Sequence, residues 1–370
     1  MAALYFHIPF CKTRCIYCDF YSNINLLKKD LFINALLKEI ELRKNEIDEP
    51  IETIYFGGGT PSQLNHNDFK IIFNKISLCF DLSKCIEITL EANPEDMTDE
   101  YIYLLKDLPF NRISMGVQSF NDNELKFLNR RHSSSRAIEA VKACKINGFN
   151  NISIDLMYGL PNQTLESWKE NISKAISLGI THISSYHLIY EEGTKMYSLL
   201  KKNAIKEVSE DLSLEMFKTL IETLKQNGFE HYEISNFAKN SLYSKHNTSY
   251  WQNKKYLGFG PSAHSYNLNT RCWNVSDLDK YIKGEKGEIE YLTESEHYDE
   301  FILTSLRTMW GISFKELQHR FDRKYFDYCI TQSKRYIDSG LLEIKENRLI
   351  LTSKGIFISD GIMSDLMYII

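Results

Sequence analysis

The chain has 370 residues, 43% hydrophobic and 25% charged, an ordinary globular composition that excludes a disordered chain. Its 44 basic and 49 acidic residues give a net charge of −5, which argues against a nucleic-acid-binding protein. No apolar run approaches membrane-spanning length and no signal-peptide pattern opens the chain, so the expected location is the cytoplasm.

Short β-rich runs alternate with helical patterns along the first two thirds. Strands are expected at Leu4–Ile8, Thr53–Phe56, Ile86–Glu91, Arg112–Val117, Ile152–Met157, His182–Leu188 and Tyr232–Ile234. Helices are expected at Asp30–Glu46, Asp68–Phe80, Asp99–Asp107, Ser135–Asn147, Leu165–Leu178 and Asp211–Asn227. Repeated βα units imply a parallel sheet covered by helices, closed into a barrel or doubly wound; periodicity does not separate the two. From about Ser241 the pattern changes to a stretch rich in Gly, His and aromatics with no clean period. From about Thr293 helices return: TESE (Thr293–Glu296) and SFKE (Ser313–Glu316) fit the capping box at helix starts. LLEIKENRLILTSKG reads as a hairpin turning at Glu346-Asn347. These features divide the chain into residues 1–240, a connecting segment 241–292, and a small winged-helix-like domain over 293–370. With no basic surface, that last domain reads as a packing or partner-docking module.

In either architecture the functional groups belong in loops at the carboxyl ends of the strands. The unusual residues fall there. HIPFCKTRCIYCDFYS after the first strand carries Cys11, Cys15 and Cys18 at C-x3-C-x2-C spacing. GGGTPS (Gly57–Ser62) follows the second strand, the third ends in Glu91 before NPED, the fourth runs into Gln118, and the fifth contains Asp155 before YGLP. One shared site accounts for this better than five surface loops.

In a reducing compartment a tight cysteine cluster points to metal binding or catalysis. The three thiolates could hold zinc with a fourth ligand such as His7 or Asp19. They could instead hold three irons of an iron–sulfur cube, leaving the fourth open to a small molecule. The absence of a second C-x2-C pair favours the cube. Cys79, Cys85, Cys144, Cys272 and Cys329 are scattered and read as structural, Cys144 sharing a helical stripe with Ile138 and Val141.

LYFHIPFCKTRCIYCDF, YFGGGTPS, LEANPE, RISMGVQSF, DLMYGLPNQT and YEISNFAK, in that order, resemble the oxygen-independent coproporphyrinogen III oxidase family of the radical S-adenosylmethionine (SAM) superfamily. The likeness runs from Leu4 into the C-terminal segment. It implies a partial (β/α)6 barrel and a [4Fe-4S] cluster on Cys11, Cys15 and Cys18 whose open iron takes the amino and carboxylate groups of SAM. By position it assigns Tyr5, Tyr17, Gly58, Gly59, Thr60, Glu91, Gln118, Arg130 and Asp155 to the SAM site. Alone, Arg130 in NRRH would read as a solvated surface charge.

Two departures set this sequence apart from the decarboxylating members, which carry a further cysteine two positions after the third and an N-terminal extension. Here that position is Phe20, and Cys11 follows only ten residues. Both features resemble the HemW-type branch of heme chaperones, which has an H-N-x-x-Y-W motif, present as His246, Asn247, Tyr250 and Trp251. The resemblance implies heme as cargo and hemoproteins of respiratory chains as acceptors. Imidazole is a suitable iron ligand and aromatics pack on a macrocycle, so His246 is the expected axial ligand. His264 is ambiguous, and His7 is expected to support the cluster. The alternative function is the enzymatic one, conversion of coproporphyrinogen III to protoporphyrinogen IX by radical SAM chemistry.

Overall fold

The alternation read from the sequence becomes a twelve-stranded sheet in the computed structural model, which describes residues 1–368. Six parallel strands lie side by side in chain order: β1 (Ala2–Ile8), β2 (Ile51–Gly58), β3 (Glu87–Ala92), β4 (Arg112–Gln118), β5 (Ile152–Tyr158) and β6 (His182–His187). Helices return the chain after each: α1 (Lys29–Arg43), α2 (His66–Cys79), α3 (Asp99–Leu105), α4 (Asp122–Phe127) with α5 (Ser134–Ile146), α6 (Leu165–Ser177), and α7 (Lys195–Lys201) with α8 (Glu210–Gln226). This is the partial (β/α)6 barrel: β1 and β6 do not pair with each other, and the sheet is extended beyond each. The predicted strands and helices match these within a few residues. Among these, α4 and α7, of six and seven residues, escaped prediction.

The inner strands alternate: apolar residues face the helices, while polar ones such as Thr53, Glu87, Thr89, Arg112, Ser153 and His182 are buried on the inward face. One core joins Leu4, Phe6, Phe56, Leu90, Ile113, Ile154 and Ile183 to helix residues such as Leu36, Phe69, Val141, Trp168 and Leu220. Trp168 pins α6 to α8 by donating its indole N–H to the Met216 carbonyl at 3.0 Å. Cys144 and Cys329 are fully buried, as expected of small apolar residues. Cys79, Cys85 and Cys272 are half-buried.

At one edge β6 pairs antiparallel with β8 (Asn236–Ala238), which pairs with β7 (Glu230–Glu233). At the other edge lies the stretch that showed no period. It forms the short helix α9 (Lys245–Trp251), then β9 (Tyr256–Phe259), β10 (His264–Tyr266), β11 (Thr270–Trp273), α10 (Leu278–Lys283) and β12 (Glu288–Tyr291). β9 pairs parallel with β1, and the next three strands add on antiparallel. Elements of three to seven residues are too short for a period to register, and a single helix turn or hairpin arm is fixed by its partners.

The C-terminal helices and strands follow the winged-helix order: α11 (Glu294–Leu306), β13 (Ile312–Ser313), α12 (Phe314–Arg320), α13 (Arg323–Asp338), β14 (Leu342–Lys345), β15 (Arg348–Leu351) and α14 (Ser359–Leu366). They enclose a separate core including Tyr298, Ile302, Leu317, Leu349 and Met363. Thr293 and Glu296 form the complete reciprocal box at the start of α11. At α12 only half of the expected box forms: Ser313 accepts from the Glu316 amide, with no return bond from the Glu316 side chain. The hairpin turns at Glu346 and Asn347, both at positive φ (49° and 60°), as a two-residue type I′ turn requires. Among the described residues no helix is long and apolar enough to cross a membrane.

Candidate functional site

The loop after β1 has almost no regular structure, so its thiols are positioned by anchors. Cys11 donates its amide to the Asn23 carbonyl at 3.0 Å, and Asn23 donates to the Pro9 carbonyl at 2.6 Å, which closes the base of the loop. Midway, Ile16 is buried beside Leu128, Met157, Leu160, Leu188 and Met196. Its amide donates to the Leu128 carbonyl (3.3 Å), and its own carbonyl accepts from Met196 (2.8 Å). The Asn129 side chain, itself at positive φ, holds the Arg14 carbonyl at 2.8 Å. The loop is therefore tied to the ends of three barrel segments.

All three cysteines are free thiols lining one cavity of about 450 Å³ at the carboxyl ends of the strands. Among the described residues no three His, Cys, Asp or Glu side chains converge on a point where one ion could bind. A cube spreads its ligands over separate irons, so its thiolates need not converge. The two ring nitrogens of His7, a possible fourth zinc ligand, are engaged elsewhere: Nε2 donates to the Tyr21 carbonyl at 2.9 Å and Nδ1 faces the Tyr5 hydroxyl at 3.4 Å. Burial pushes the Cys11 thiol up and the Cys18 thiol up to about 11, and each is raised further by the neighbouring Cys15. Thiols crowded in this way ionise readily only when a cationic centre takes the charge.

The cavity wall is laid down by alternation along the strands. Glu91 and Asn93 follow from β3; Ser114, Gly116 and Gln118 come from β4; Asp155 and Met157 from β5; Tyr186 from β6. β4 shifts register against β5 between Met115 and Gln118, and Gln118 takes a positive φ of 65°. A bulge of this kind re-aims a side chain into a site, at the cost of backbone strain that the surrounding packing must hold. Arg130 reaches in from the loop after α4: Nη1 donates to Cys15 Sγ at 3.4 Å, and Nη2 to Asn93 Oδ1 at 2.5 Å and the Gly116 carbonyl at 2.6 Å. It is thus not the free surface charge that the NRRH stretch alone suggests. Thr60 sits between Cys11 Sγ (3.3 Å) and Asn93 Nδ2 (3.2 Å).

Two carboxyls inside the cavity are held well above the usual range. Burial raises Glu91 to about 7, with the nearby Asp155 adding to it, against the lowering effect of the Tyr55 hydroxyl that donates to Oε1 at 2.6 Å. Burial raises Asp155 to about 6. Both therefore gain from a cation placed between them. Apolar side chains also line the cavity: Met157 and Leu188 are buried, while Ile189 and Phe20 are each 65% exposed.

The cavity gathers Cys11, Cys15, Cys18, Tyr17, Gly58, Gly59, Thr60, Glu91, Gln118, Arg130 and Asp155 from the residues expected at the SAM site. Tyr5 is not in its wall and lies one layer below, against His7 and Tyr55. Asn93, Ser114, Gly116 and Tyr186 line the cavity and were missed. The two-residue period of their strands is the signal that could have found them.

The H-N-x-x-Y-W residues lie outside the cavity wall. His246 is fully buried, with Nδ1 2.8 Å from Thr53 Oγ1 and Nε2 2.7 Å from the Tyr250 hydroxyl. Burial lowers its pKa to about 3, so the ring is neutral. Contrary to the expectation of an axial ligand, His246 in this arrangement has no ring nitrogen free for an iron. Asn247 and Tyr250 share α9 with it, and the Trp251 indole is covered by the Arg307 guanidinium, 4.8 Å from its ring centre. His264 is exposed and stacks on Trp273.

Residues 5–175 match the radical SAM superfamily, and residues 292–358 match the HemN C-terminal domain. A protein named heme chaperone HemW from Lactococcus lactis is 35% identical over 97% of this chain and 95% of its own length. One of the same name from Bacillus subtilis is 35% identical over 96% of each chain. The solved structure of coproporphyrinogen III oxidase (HemN) from Escherichia coli, a radical SAM enzyme, superposes with a TM-score of 0.86. It is 23% identical, covers 99% of this chain and 90% of its own, and shows the shared fold. With full-length relatives above 30% identity and both domain matches in place, the chain belongs to the HemW heme chaperone family of the radical SAM superfamily.

Proposed function

We propose that this protein is a heme chaperone that carries a [4Fe-4S] cluster and SAM in the cavity, binds heme, and passes it to acceptor hemoproteins, including those of respiratory chains. The observation that carries the reading is the composition of the cavity: three free thiols, the buried carboxyls of Glu91 and Asp155, and apolar side chains line one space. Cys11, Cys15 and Cys18 would ligate the cluster. Gly58, Gly59, Thr60, Tyr17, Glu91, Gln118, Arg130 and Asp155 would surround SAM, with the two raised carboxyls offering charge to a cationic ligand. When bound, such a cluster supplies an electron to an adjacent acceptor. Arg130 would neutralise the thiolate of Cys15, and Asn93 would hold Arg130 in place.

Heme finds its best support at the mouth. Phe20 occupies the position at which the decarboxylating enzymes have a cysteine, and with Ile189 it would expose an apolar shelf suited to a flat macrocycle. The motif residues His246, Asn247, Tyr250 and Trp251 would reach heme only if α9 left its packing. A titration of the anaerobically reconstituted chain with heme tests this reading. The Soret band should shift on binding, and Ile189→Asp should weaken heme affinity by roughly tenfold, the size of one lost apolar contact. The cluster absorption should remain. An unchanged heme affinity in that variant would move the cargo off the shelf.

A further inference from the structure

Beneath the cavity floor three rings lie against one another. The His246 imidazole stacks on Tyr55, with centroids 4.9 Å apart and planes 27° apart. Tyr5 stands 6.2 Å from Tyr55 and 6.4 Å from His246. Both tyrosine hydroxyls point toward the site. That of Tyr55 donates to Glu91 Oε1 at 2.6 Å, and that of Tyr5 faces His7 Nδ1, whose ring holds the Tyr21 carbonyl just after the cysteine loop.

The helix that carries His246 is fixed from both sides. Glu87, buried in β3, accepts the amides of Lys245 and His246 at 3.0 and 2.9 Å. At the other end Arg307, just after α11, covers Trp251 and pairs with the buried Glu233 at 2.5 Å, while Asn253 donates to Thr304 Oγ1 at 3.2 Å.

We propose that His246 is a positioning residue for the cofactor cavity, wedging Tyr55 and Tyr5 so that their hydroxyls fix Glu91 and, through His7, the cysteine loop. The motif helix then serves the cavity from below and is no ligand of the heme iron. A stacked, doubly hydrogen-bonded ring holds one orientation, and a ring packed on it inherits that order. Removing it leaves space into which Tyr55 can tilt, and Glu91 then loses its fixed donor. The inference rests on the reading of Glu91 as a SAM contact.

The test compares SAM affinity by calorimetry in the reconstituted full chain for the wild type, His246→Ala, Tyr55→Phe and the double variant, with a heme titration of each. Both single variants should weaken SAM binding by about tenfold, the size of one hydrogen bond to a charged group. The double variant should be no weaker than the worse single one, because both act along one path. The pH profile adds a readout that a merely structural role would not move. The groups facing Glu91 are Tyr5, Tyr55, Arg112, Asp155, Tyr186 and Tyr250. SAM affinity should rise as pH rises through the Glu91 midpoint, since a cationic ligand favours the carboxylate. Losing the Tyr55 donor, which lowers that midpoint, should shift the profile to higher pH in both single variants.

If His246→Ala does not fold, Tyr250→Phe removes only the hydroxyl facing Nε2 and should give the same shift at smaller amplitude. A lost Soret shift with SAM affinity unchanged would make His246 the iron ligand and overturn the proposal, as would additive single variants. A wild type that binds no SAM would instead strike the cavity reading itself, and the proposal with it.

Discussion

Replacing Cys15 by Ala is expected to abolish the broad brown absorption of the reconstituted protein and to cut iron and sulfide well below the roughly four of each per chain that a cube requires. Three thiolates are the whole protein ligand set in this reading, so losing one leaves a second iron open and the cube degrades. The change should leave the fold alone. Cys15 lies in a loop without regular structure, anchored by Ile16 and by the Cys11–Asn23 contact, and neither anchor uses its side chain. The group most affected is Arg130, whose Nη1 loses its sulfur acceptor while Nη2 keeps Asn93 and Gly116. Circular dichroism should therefore be unchanged while the visible spectrum is lost. A variant that reconstitutes a normal cluster would show that the ligands have been misassigned.

Gly58→Val should weaken SAM binding by roughly a hundredfold. Gly58 sits at φ +103°, a region that side chains other than glycine rarely adopt. A Cβ built there would lie 2.7 Å from Cε1 and Nδ1 of His7. That ring cannot swing aside freely, because Nε2 is held by the Tyr21 carbonyl and the His7 backbone is pressed by Gly260 from behind. Strained backbone costs about 1–3 kcal/mol. A β-branched residue adds the clash, and displacing His7 disturbs the cysteine loop as well, so a loss of about 2.7 kcal/mol in binding is reasonable. Calorimetry on a variant with normal circular dichroism measures it. Unchanged affinity would reduce GGGTP to a turn.

The barrel was legible because its strands and longer helices each state their own period, and because motif residues cluster at the strand ends. Within the cavity, the residues found were those carrying a motif: the cysteines, the glycine loop, Glu91, Gln118, Arg130 and Asp155. Asn93, Ser114 and Gly116 carry no such mark, although they continue the inward-facing alternation of Glu91 and Gln118. Tyr5 and His246 both lie outside the cavity wall, for one shared reason. Tyr5 belongs to the inward face of β1, but the layer it occupies depends on the registers of β1 and β2, which no local pattern states. His246 sits in a readable motif, yet its environment is made by Thr53, Tyr55 and Glu87, from 159 to 193 residues earlier in the chain. Sequence could propose the imidazole as a ligand. Only the packing revealed that both of its nitrogens are taken.

Whether the cavity serves cargo or turnover is tested most directly by one paired assay of the reconstituted chain under anaerobic conditions. In one arm the heme-loaded chain is mixed with an apo-hemoprotein. In the other the chain receives coproporphyrinogen III, SAM and a reductant. The account predicts that heme passes to the acceptor, seen as growth of the acceptor's own Soret band, with no SAM-dependent loss of CO2 in the second arm. Sustained formation of protoporphyrinogen IX, with heme retained or never bound, would contradict it.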